Sequence, residues 1–142
     1  MSTEANKAMI RQWVDEAWNN GDFSHAEQFY TADYTYHDPS APAGMPKGPQ
    51  GIIGMVSMYR VGLPDVHMTI EDMVAEGDKV VWRWSVVGTH NGPLMGIPPT
   101  GIKSENGGII ITRFVNGKWA EDWNNWDTLG MLQRLGVIPA QT

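Results

Sequence analysis

Apolar positions at the start of the chain recur every three to four residues. Met9, Ile10, Trp13, Val14 and Ala17 form one stripe, the spacing of an amphipathic helix whose apolar side faces a core. Asn19-Asn20-Gly21 follows as a helix-stop signal. Asp22 or Ser24 stands where it can cap a short second helix carrying Ala26, Phe29 and Tyr30. TADYTYHDPS then alternates briefly, as a short strand does, before Pro39, Pro42, Pro46, Gly44 and Gly48 make a loop. Pro49 opens a third helix with an inward face of Ile52, Met55, Val56 and Tyr59, closed by Gly62.

From Asp65 the period shortens to about two. VHMTIEDMVAE reads as a strand, Gly77-Asp78 as a turn and KVVWRWSVVGTH as the antiparallel partner. The segment from Asn91 to Gly101 is a loop rich in Gly and Pro. IKSENGGIIITRFV is a third long strand, joined through Asn116-Gly117, a strong hairpin signal, to a fourth, KWAEDWNNW. Asp127 is placed to cap a last helix built on Leu129, Leu132 and Leu135 and stopped at Gly136. Helices first and a strand meander afterwards predict an α+β domain. The helices pack against one face of a curved, mostly antiparallel sheet, and the cone so formed encloses an apolar pocket.

Composition narrows the function. The chain has 142 residues, the size of one domain, so residues 1–142 are expected to fold as a unit. Ten basic against sixteen acidic residues leave a net charge of −6, which argues against nucleic acid as a partner. There is no cysteine, hence no disulfide, thiolate metal site or cysteine nucleophile. MSTEANKAMIRQW lacks an apolar signal core, and no stretch approaches the roughly 20 apolar residues of a membrane span. The expected location is the cytoplasm, with no membrane partner. Seven Trp and nine Met supply large, soft side chains of the kind that fill cores and also line ligand pockets.

The motifs of common enzyme classes are missing. No GxxxxGK[ST], GxGxxG after a strand, GxSxG or HExxH occurs, which disfavours phosphate cradles, serine hydrolases and zincins. His67 and Glu71 share a strand face without a third ligand in sequence, so no metal site is expected.

The string GTHNGPLMGIPPTG, from Gly88 to Gly101, carries a resemblance. With PDVHMTIEDMVAEGD before it and NGKWAEDWNNWDTLGMLQRLG after it, the chain resembles the SnoaL-like polyketide cyclase (ester cyclase) family, which has the nuclear transport factor two-like fold. WNNGDFSHAEQFYTADYTYHDP is similar to that family's opening, so the likeness spans nearly the whole chain. The resemblance implies ring closure of an aromatic polyketide methyl ester by intramolecular aldol condensation, with no metal and no organic cofactor. It also implies an apolar pocket and a general acid/base Asp on the last strand. Anchored on Asn116-Gly117 and Leu135-Gly136, that catalytic position falls on Asn124, an assisting histidine on Ile110 and a tyrosine after helix one on Trp18. Asn124 makes hydrogen bonds but takes no proton at neutral pH.

Other groups are therefore candidates for the chemistry. By period two, Ala120, Asp122 and Asn124 share one face of the last strand, and Trp119, Glu121 and Trp123 the other; a bulge would reverse this parity. Asp122 is the first candidate base, because burial among Trp and Met raises a carboxyl pKa. Asn124, with His37 or His90, is expected to polarise a substrate carbonyl, and Asp127 is a further acid/base candidate besides its capping role. Trp18, Met55, Tyr59, Trp82, Trp84 and Trp123 are candidate pocket walls on which a flat ligand stacks. Leu94, Met95 and Ile97 form a candidate apolar lid.

The expected function is cofactor-free acid/base catalysis on a hydrophobic carbonyl compound, a cyclase of lyase or isomerase type acting on an aromatic or polyketide-like ligand. A binding domain without catalysis, and hydrolysis or hydroxylation on the same scaffold, are the alternatives. A homodimer through the open sheet face is expected, because strand-face tryptophans need covering.

Overall fold

The computed structural model describes residues 2–140. Helix α1 (Thr3–Trp13) continues into a π-helical turn, Val14–Trp18. Ser2 caps it by accepting from the Ala5 N–H at 3.0 Å. The helix ends as its sequence predicts: Gly21 takes φ +68°, and its N–H returns to the Ala17 carbonyl at 3.0 Å. Of the predicted stripe, Ile10, Trp13, Val14 and Ala17 are buried and Met9 is half-buried against them. Helix α2 is short (Ala26–Phe29) and starts from His25 with no side-chain cap; Asp22 instead binds the Ser24 N–H in the preceding turn. Strand β1 (Tyr30–His37) therefore begins at Tyr30, one residue inside the expected helix.

Helix α3 (Pro49–Gly62) opens on Pro49 as expected and buries Ile52 and Val56. Strands β2 (His67–Glu76), β3 (Lys79–Thr89), β4 (Lys103–Val115) and β5 (Lys118–Trp126) form the predicted meander. Asn116 and Gly117 both have positive φ, 50° and 78°, the backbone of a two-residue turn that matches strand twist. Helix α4 (Thr128–Arg134) closes the chain.

The five strands make one curved, unclosed sheet in the order β1-β5-β4-β3-β2. All neighbours are antiparallel except β1, which runs parallel to β5. Pairings slip at Ile70/Asp72, at Arg113/Phe114 and between Tyr30 and Thr35, and such bulges bend strands and increase their twist. Alternation along β3 points Val80, Trp82, Trp84 and Val86 inward, where they meet the buried faces of α1, the π-helical turn and α3. Among the described residues, no helix is long and apolar enough to cross a membrane.

Candidate functional site

A cavity of about 60 Å³ lies between the inner sheet face and the helices. Its wall is largely aromatic and aliphatic, and most of its polar atoms come from the middle of the sheet. Asp122 is the only charged side chain among the described residues that line it.

A slip in strand pairing positions Asp122. The Asn116-Gly117 turn pairs Val115 with Lys118 and Phe114 with Trp119, but the next pairs are Arg113 with Glu121 and Thr112 with Asp122. Ala120 is the extra residue of a bulge. Trp119 consequently faces inward beside Asp122 instead of outward with Glu121, which corrects the simple alternation. The register also sets Asp122 opposite the buried Thr112 rather than beyond it.

Both carboxyl oxygens of Asp122 are occupied. Oδ2 accepts from the Tyr34 hydroxyl at 2.6 Å and from the Trp119 indole at 2.8 Å. Oδ1 accepts from the Thr112 hydroxyl, which itself accepts from the Trp82 indole at 3.0 Å. Burial pushes the Asp122 carboxyl up to about 6, against the three donors, which pull it down. Desolvation outweighs them because the group is wholly out of water. A carboxylate has about four acceptor sites, so three bonds leave one free for an incoming proton.

Two residues further along the same face, Asn124 sits in a second network. Its amide N–H donates to the Tyr36 hydroxyl at 2.7 Å, and its carbonyl accepts from the Trp84 indole at 3.3 Å. Tyr36 donates to Asp38 at 2.9 Å, which also accepts from the Trp126 indole at 3.1 Å. Burial, with the Asp38 charge adding to it, pushes the Tyr36 phenol far above its ordinary range, so it stays protonated. Gly108 permits this corner: a Cβ there would lie 2.5 Å from the Trp126 Cβ and 2.8 Å from the Trp84 ring. The four indoles on the sheet side thus act as hydrogen-bond donors as well as apolar walls.

Of the predicted walls, Trp18, Met55, Tyr59, Trp82 and Trp84 line the cavity. Trp18 and Tyr59, with ring centroids 5.9 Å apart, and Trp126, 6.2 Å from Tyr59, are half-buried members of the wall, as are Tyr36 and Met55. Trp123 does not line it. It lies on the outer face, where its ring stacks on His37 with centroids 5.5 Å apart, because only even positions from Asp122 onward point inward.

Three predicted acid/base residues also lie outside the cavity. His37 is on the outer face, its Nε2 2.6 Å from Glu121 Oε2. Partial burial pushes the Glu121 carboxyl up, but bonds from His37 and Arg113 hold it below its ordinary value. His90 is buried in the loop after β3. Its Nδ1 takes bonds from the Thr100 hydroxyl and backbone N–H, at 3.0 and 3.3 Å, and its backbone pairs with Gly101 and Ile102. Asp127 caps α4 by accepting from the Gly130 N–H at 2.9 Å and is otherwise exposed. The expected lid is likewise displaced. Leu94 packs against Gly62 at the end of α3, and Leu94, Met95 and Ile97 leave the cavity wall to other residues.

Sequence reasoning missed Tyr30, Tyr34, Tyr36, Asp38, Thr112, Trp119 and Trp126. Trp126 was within reach of it, since it continues the alternation of Asp122 and Asn124. The tyrosines were not, because they reach the site through the parallel pairing of β1 with β5, 88 residues away for Tyr34 and Asp122.

A curved open sheet with helices over a cavity on its inner face is the architecture of nuclear transport factor two-like proteins. A family model, "SnoaL-like polyketide cyclase", matches residues 8–135, and the chain belongs to that family. It is similar to the aklanonic acid methyl ester cyclase DnrD of Streptomyces peucetius, 29% identical over 140 residues, covering 96% of this chain and 92% of that one. DauD of Streptomyces sp. (strain C5), also an aklanonic acid methyl ester cyclase, is 28% identical over 132 residues, covering 90% and 80%. Among solved structures, TsrD from Streptomyces laurentii superposes with a TM-score of 0.86 at 27% identity, covering 97% of this chain and 99% of that one. These relatives support a cyclase-like role.

Proposed function

We propose that this protein closes a ring in a hydrophobic carbonyl compound by cofactor-independent acid/base chemistry, with Asp122 as the base. What carries the reading is the position of Asp122: among the described residues, the one charged group on the wall of an apolar cavity, with a carboxyl pushed up to about 6. A base poised there is ionised near neutral pH and still basic enough to take a proton. The substrate carbon between two carbonyls loses its proton to Asp122 and becomes an enolate. That carbon attacks a ketone in the same molecule, forming the new carbon–carbon bond. The resulting alkoxide takes a proton back from the Asp122 carboxylic acid. Atoms and charge balance with no oxidant, metal or co-reactant, and the cavity contributes orientation. The half-buried Trp18, Tyr59 and Trp126 must move apart to admit a multi-ring ligand, because about 60 Å³ holds only a few waters.

The test is turnover of an aromatic polyketide methyl ester. The native protein is expected to turn over with a rate that rises with pH through about 6 and then levels, and Asp122→Asn is expected to be inactive. Turnover unchanged in Asp122→Asn would remove Asp122 from the role. A second reading rests on Asn124, which stands where the family resemblance places the catalytic Asp and whose amide bonds Tyr36 and Trp84. On that reading the protein binds such compounds without converting them. Saturable quenching of tryptophan fluorescence without turnover, and turnover gained in Asn124→Asp, would favour it.

For the expected homodimer we propose the outer sheet face. Strand register aligns Val74, Val81, Ile111 and Trp123 in one row across β2 to β5, with Val74, Val81 and Ile111 all exposed. Sedimentation is expected to give a dimer for the native protein and a monomer for Ile111→Glu; equal masses would refute this.

A further inference from the structure

The buried hydroxyl of Tyr30 has no hydrogen-bond partner. Among the described residues, the other buried side-chain atoms in this condition are Asn6 Oδ1, Thr31 Oγ1 and His90 Nε2, and none of those residues lines the cavity. Tyr30 does line it. Buried hydroxyls are nearly always paired, so each exception calls for a reason.

Tyr34, four residues along the same strand, sharpens the contrast. Both tyrosines are 1% exposed, yet Tyr34 donates to Asp122 at 2.6 Å while Tyr30 donates to nothing. Tyr30 cannot turn to find an acceptor. Its ring is held by Trp13, edge-on at 5.0 Å, by Tyr34, edge-on at 4.6 Å, and by Trp119, stacked at 4.9 Å. Its phenol is pushed well above its ordinary range by burial, with the nearby Asp122 carboxylate adding to the effect. It therefore stays a neutral donor throughout the working pH range. The other polar groups at this end of the cavity are already engaged: Asp122 by three donors, Thr112 by Trp82 and Asp122, Asn124 by Tyr36 and Trp84.

We propose that the Tyr30 hydroxyl is the positioning donor for a ligand oxygen. The ligand enters with a carbonyl leading and seats that oxygen against Tyr30, beside Asp122. The inference rests on the proposed chemistry and deepens it. Once Asp122 has taken the proton, the same bond holds the enolate oxygen, and it strengthens as charge develops there. Specificity follows, because a planar hydrocarbon of equal size leaves the hydroxyl unpaired.

The test uses 1-tetralone and tetralin, two bicyclic compounds of nearly the same shape that differ by one carbonyl, with affinity read from tryptophan quenching. The native protein is expected to bind 1-tetralone about fivefold to tenfold more tightly, the effect of one neutral hydrogen bond. Tyr30→Phe is expected to erase the preference while leaving tetralin affinity unchanged. Its melting temperature should hold or rise, since an unpaired hydroxyl is removed. Tyr34→Phe is the control: it should melt lower, having lost a bond to Asp122, and keep the preference. A preference that survives in Tyr30→Phe overturns the assignment and leaves the proposed chemistry standing. Failure of both compounds to bind would overturn both. Inactivity of the native protein towards polyketide esters, with the tetralone preference intact, would count against the proposed reaction alone.

Discussion

Asp122 and Asn124 stand two residues apart on the same face of β5, and their surroundings do different work. Asp122 lies in the dry interior, ringed by three donors that all come from buried side chains. Asn124 lies towards the half-buried rings of Tyr36 and Trp126, in a chain of bonds ending at Asp38, whose second oxygen accepts from the Ser40 backbone at 2.7 Å. The interior position can shift a carboxyl's pKa because water is excluded from it. The Asn124 network already ends on the Asp38 carboxylate, so a second charge there would meet repulsion. Strand alternation gives both residues the same facing and both are buried; of the two, only the aspartate can take a proton.

Removing the acceptor from the interior should have the largest effect. Asp122→Ala strands three buried donors and is expected to destabilise the protein by roughly 3–5 kcal/mol in chemical denaturation. A loss below about 1 kcal/mol would mean that the donors find other partners.

Next comes pH. The folded carboxyl titrates at about 6 against an ordinary 3.8, so the folded state binds the proton more tightly than the unfolded chain. Asp122 therefore contributes most stability below pH 3.8, and that contribution fades as pH rises through about 6, a change of roughly 3 kcal/mol. Asp22, Asp65 and Glu121 have lowered values, with Ser24, Thr89 and the His37–Arg113 pair as their partners, and act in the opposite direction. The native-minus-Asp122→Asn difference in unfolding free energy across pH 4–7 isolates the interior group. A flat difference would show that Asp122 titrates normally.

Asn124→Asp tests the outer network. It removes the donor to Tyr36, whose single hydroxyl proton would then face two carboxylates, and is expected to cost about 1–2 kcal/mol, measured the same way. An unchanged stability would make the two positions equivalent in their tolerance of charge.

The smallest effects are expected from residues outside the cavity. Asp127→Ala should lose about 1 kcal/mol through the α4 cap, and His37→Gln less than about 0.5 kcal/mol, as for other exposed pairs. Both should leave ligand affinity alone. A changed affinity in either would bring that residue back into the site.

Local pattern determined much of this protein. The helical stripe of α1, the Pro49 start of α3, the long strands and the Asn116-Gly117 turn all follow from short-range spacing and turn chemistry, and five of the six predicted wall residues line the cavity. Period two also put Asp122 and Asn124 on one inward face. Trp123 went astray although the same alternation, applied strictly, had already placed it outward. What only the tertiary structure decided was pairing and depth. The bulge at Ala120 turns Trp119 inward and sets Thr112 opposite Asp122, whereas uninterrupted register from the turn would have set Thr112 opposite Glu121. Parallel pairing of β1 with β5 brings Tyr30, Tyr34 and Tyr36 to the same place. Both depend on contacts between segments far apart in sequence, whose free energy is settled by packing of the whole sheet against the helices and leaves no periodic trace along the chain.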